Sequence, residues 1–73
     1  MKKNITKEDA IALREELLTY SDTAEQHEFP ILFMIHCRLN SSIERFDTMD
    51  DSKKNAMFRV VYKTIGKDSS EYE

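Results

Sequence analysis

Residues able to do chemistry are few in this chain, and their spacing limits what they can do together. His36 and Cys37 come nearest to a nucleophile with its base, and His27 is the only other imidazole. Adjacent side chains on a helix diverge by about 100°, so this order supports neither a thiolate activated by its neighbour nor a metal shared by the two. Cys37 reads instead as a small buried hydrophobe, and His36 as a core-edge histidine satisfied by a backbone carbonyl or by Asn40 one turn on. Asp47, Asp50 and Asp51 lack the spacing and the turn glycine of a calcium loop and read as helix caps. The expectation is a protein with no catalytic residues, no metal and no cofactor.

The cations are more suggestive. Arg59, Lys63 and Lys67 follow one another at four-residue steps, which on a helix makes an outward basic stripe that Asn55 and Ser52 extend. Amine and guanidinium groups on phosphates, with Asn55 at a base edge, would make a nucleic-acid recognition helix. Against this, the formal net charge is −3 and Asp68, Glu71 and Glu73 follow directly, so a polyanion would be repelled. The stripe is therefore read first as a solvated face or a dock for an acidic protein, with DNA binding as the second reading. Arg14 lies between two apolar stripes of its helix and is expected at the margin of an interface.

Three helices must position these groups. Pro30 suits the first turn of a helix, and no Gly or Pro follows before Gly66. Leu32, Ile35, Leu39, Ile43 and Phe46 fall in one arc and form a core face, whereas Ile31 to Ile35 is apolar in every direction. Phe33, Met34 and Cys37 thus need a second cover. An earlier helix starts at Thr6, which can cap Asp9, and carries Ala10, Leu13, Leu17, Tyr20 and Ala24 inward. A fresh capping signal at Ser21 to Thr23 allows a kink there, and a connection is expected near His27 to Phe29 because the residue before a proline is pushed out of the helical region. The third helix stops at Gly66 with Met57, Val60, Val61, Thr64 and Ile65 inward and Phe58 and Tyr62 widening that arc; a strand over Phe58 to Ile65 is the rival reading, but it has no partner strand in the chain unless it pairs across a dimer. The predicted helices span 6–26, 30–47 and 51–65. Met1 to Asn4 are expected to be loose, and 67–73 to be a polar, disordered tail.

A chain of 73 residues is one domain and buries only about 60% of the surface that its unfolded form exposes. That is too little to cover both faces of the central helix. The sequence therefore predicts an all-α, three-helix domain that forms a homodimeric helical bundle through this helix, with Phe33, Met34, Cys37 and Ser41 at the contact and Arg14 beside it. One cysteine gives no internal disulfide, and no apolar run reaches the roughly 18 residues of a membrane span, so a cytoplasmic protein without a membrane partner is expected. The functional expectation is a non-enzymatic interaction module, a small regulator, inhibitor or adaptor that binds a partner protein and itself.

Overall fold

The computed structural model of the chain describes all 73 residues, in three helices and no strand. Helix α1 spans Lys7–Thr23, α2 spans Phe29–Glu44 and α3 spans Asp51–Thr64. The apolar run Phe58 to Ile65 is helical through Thr64, because with no second strand to satisfy its backbone only a helix closes those hydrogen bonds locally.

Each helix ends where its sequence supplies a physical reason. Thr6 and Asp9 form a reciprocal capping box on α1, with the Asp9 amide donating to Thr6 Oγ1 at 3.1 Å and the Thr6 amide donating to Asp9 Oδ2 at 3.0 Å. Helix α1 stops at Thr23, short of the expected 26, because Ala24 and Glu25 turn extended and Glu28 caps a separate 3₁₀ turn at Gln26–Glu28. Phe29, expected outside the helix, is helical at φ −57° and ψ −40° and opens α2 directly. Pro30, in the first turn of α2, gives up no intrahelical hydrogen bond, since the first amides of a helix have no partner there. Helix α2 gives way after Glu44 to a 3₁₀ turn at Phe46–Thr48, and Asp50 caps α3 by accepting from the Lys53 amide at 2.8 Å.

Gly66 closes α3 in the left-handed region at φ 77°. The Lys67 amide reaches back to the Tyr62 carbonyl at 2.8 Å and the Gly66 amide to that of Lys63 at 3.3 Å, the double bond of a Schellman motif.

The core is one cluster drawn from all three helices: Ala10, Leu13 and Leu17 of α1, Leu32, Ile35, Leu39 and Ile43 of α2, and Phe58 and Val61 of α3. Phe46, in the 3₁₀ turn after α2, and the two chain ends complete it. Ile5 is buried, and so is Tyr72, only 4% exposed against the rings of Phe58 and Tyr62. The tail 67–73, expected to be disordered, instead folds back along α3 into a 3₁₀ turn at Ser70–Tyr72. A single aromatic among polar residues is enough, because Tyr72 caps an apolar surface that α3 cannot cover alone. The amino terminus is tied down too: the Lys2 amide donates to Asn55 Oδ1, and Asn55 Nδ2 donates to the Lys2 carbonyl, both at 2.8 Å.

Candidate functional site

Helix α2 is amphipathic only along part of its length. Its inward arc is buried, while Phe29, Ile31, Phe33 and Met34 at its amino-terminal half stand in solvent, Phe33 with 71% of its surface exposed and Ile31 with 51%. Cys37 and Ser41 continue the same outward strip one and two turns on, and both are exposed. Cys37, read from the sequence as a buried hydrophobe, is therefore on the surface, because the positions that face the core are Leu32, Ile35 and Leu39. Across the seam with α1, Ile11 and Leu18 are also exposed. Exposed apolar side chains thus surround the amino-terminal half of α2 on every side but the core arc, an uncovered apolar surface of unusual extent for so small a protein.

Arg14 lies at this seam. Its Nη1 donates to Asn40 Oδ1 at 3.0 Å, joining α1 to α2 and using up the acceptor that His36 was expected to find. His36 Nδ1 is left buried with no hydrogen-bond partner, while Cys37 points outward. Histidine and thiol therefore lie on different faces, and no third group orients either of them. No three His, Cys, Asp or Glu side chains converge anywhere in the chain. A groove of about 220 Å³ between α2 and α3 is lined by six apolar residues with Arg38 and Ser42, and no carboxylate or imidazole lines it to serve the Ser42 hydroxyl as a base.

The expected basic stripe does not form a free surface. Asn55, placed outward by the sequence reading, is 1% exposed and bonds to Lys2 and to the Asp51 carbonyl. Arg59 Nη1 donates to the Tyr72 carbonyl at 3.2 Å, Lys63 pairs with Glu73 at 2.9 Å, and Lys67 pairs with Glu16 at 3.0 Å while lying over the Tyr62 ring. These pairs leave their mark on the ionisations: Lys63 holds the Glu73 carboxyl below the usual range, and the hydrogen bond to Glu16 raises Lys67. The stripe thus clamps the tail and α1, and a phosphate would have to displace an acceptor from each cation.

A second polar clamp closes the α1–α2 corner. The Tyr20 hydroxyl donates to Glu28 Oε1 at 2.8 Å while Glu28 Oε2 accepts from the Glu25 amide at 2.9 Å. The bonds from the Glu25 amide and Tyr20 lower the Glu28 carboxyl, and the same contact with Glu28 raises the Tyr20 hydroxyl. The sequence reading had no sign of this corner beyond a capping pattern.

No protein-family model matches the chain, and neither the curated proteins nor the solved structures contain a significant match.

Proposed function

We propose that the protein is a non-enzymatic interaction module that binds a partner protein and itself through the outward face of α2. The observation that carries this reading is Phe33, 71% exposed between two further exposed apolar residues, Phe29 and Met34. Burying a side chain of this size is worth roughly 1.5–3 kcal/mol, against a total stability of about 5–15 kcal/mol for an ordinary domain. A residue that leaves such a sum unrealised in the single chain serves a contact outside it. The reading is supported further by what surrounds the strip: small or polar residues at Cys37 and Ser41 allow close approach, and Arg14 at the seam is held in place by its bond to Asn40 Oδ1.

A capture experiment tests this. An immobilised copy of the chain is expected to retain an untagged copy, and proteins of a native lysate, in a manner that Phe33→Glu abolishes without loss of helical circular dichroism. Equal retention by wild type and variant would contradict the assignment to α2.

A further inference from the structure

We propose that the occupant of the α2 face is the α1 face of a second copy, in an antiparallel four-helix arrangement whose two-fold axis runs parallel to the helices. This rests on the interaction reading above and gives it a partner and an orientation.

The argument starts from register. Helix α2 returns along α1 after a short connection, and the Arg14–Asn40 bond brings those two residues to about the same level. Counting one step back on α2 for each step forward on α1 sets Glu15 level with Leu39, beside Arg38, and Glu8 level with the carboxyl end of α2, where Arg45 is the capping residue. On α1, Ile11, Leu18, Glu8 and Glu15 share an arc of about 80° on the solvent side of Arg14. On α2, Phe33, Cys37, Ser41 and Met34 are followed around the helix by Arg45 and Arg38. One face of the molecule therefore has an apolar centre, an acidic edge on α1 and a basic edge on α2.

The edges match each other. Glu8 and Glu15 are seven residues apart, as are Arg38 and Arg45, and as are Ile11 and Leu18. Neither glutamate takes part in any of the chain's ion pairs, and neither does either arginine; Arg45 only donates to the Ser41 carbonyl of its own helix. Every other cation of α3 that the sequence singled out is already engaged. Glu44, the remaining acid of α2, points about 100° away from Arg45.

Symmetry then decides the orientation. A two-fold axis perpendicular to the helices would set acidic edge on acidic edge and basic on basic. An axis parallel to them exchanges the edges, so that Glu15 of one protomer meets Arg38 of the other, and Glu8 meets Arg45. The same operation preserves level along the helices, so it lays Leu18 beside Cys37 and Ile11 beside Ser41, with Phe33 level with Ser21 of the second copy, and it makes every neighbouring pair of helices antiparallel, as in four-helix bundles.

Sedimentation of four proteins tests the arrangement: wild type, Glu15→Arg, Arg38→Glu and the double variant, each checked for helicity. Each single reversal is expected to weaken the dimer at least about fivefold, since the contact occurs twice by symmetry, and the double variant is expected to recover most of the loss. A second measurement reads proximity directly. A chain carrying Leu18→Cys and Cys37→Ser, mixed with wild type and mildly oxidised, should yield a disulfide-linked dimer of one chain of each kind. A wild-type dimer indifferent to both reversals, or an oxidised mixture holding only Cys37-linked wild type, would overturn the arrangement while leaving self-association standing. A wild type that sediments as single chains at micromolar concentration would remove self-association itself.

Discussion

At the scale of the residue, Asn55 shows how a side chain that looks free can be a structural tie. Its amide satisfies both backbone groups of Lys2 and the carbonyl of Asp51 at 2.8 Å each, with 1% of the residue exposed. Asn55→Ala removes three hydrogen bonds and frees the amino terminus, so the expected loss is about 2 kcal/mol, measured by urea denaturation. Nothing near Asn55 in the sequence announces a partner 53 residues away. Stepwise spacing from Arg59 and Lys63 placed it on a stripe, and spacing alone does not say whether a stripe meets solvent or the returning chain. Tyr72 carries the complementary lesson. Burial against Phe58 raises its hydroxyl pKa, with Tyr62 adding to the effect. The folded state therefore keeps a proton that the unfolded state releases, and this contribution to stability is intact below pH about 10 and is lost as the pH rises above it. Tyr72→Phe should flatten the alkaline limb of a plot of stability against pH, and an unchanged slope would show that Tyr72 is not the group responsible.

At the scale of the element, what was legible was whatever rests on local rules. The arcs Leu13–Leu17 and Leu32–Leu39 follow from helical periodicity, and the Thr6 box, the Asp50 cap and Gly66 follow from capping chemistry. On α3 Val61 is inward as expected, but Val60, also expected inward, is 45% exposed, and Phe58, expected only to widen the arc, is the buried ring. What was illegible depends on contacts between distant segments: the docked tail and the pinned amino terminus. Gly66 allows a clean test of a local rule. A Cβ built there meets nothing within 4 Å, so Gly66→Ala pays only for the left-handed backbone. The expected loss is about 1–2 kcal/mol, read as a lowered thermal midpoint. No loss would mean that the Schellman closure of α3 contributes little.

At the scale of the whole molecule, the chain closes one core and leaves a second apolar surface open. The buried cluster takes in all three helices and both chain ends, yet Phe29, Ile31, Phe33 and Met34 remain in water on one half of one helix. The apolar-all-round stretch Ile31 to Ile35 signalled this in the sequence, because three helices of these lengths can cover α2 from one side only. No helix is long and apolar enough to cross a membrane, so lipid burial across a bilayer does not account for the strip. On the function proposed above, a protein contact covers it. Size exclusion with light scattering is the most direct check: wild type is expected at twice the 8.6 kDa mass of one chain, and Phe33→Glu at the single-chain mass with its helicity kept. A wild type that holds the single-chain mass across micromolar concentrations would contradict self-association through α2.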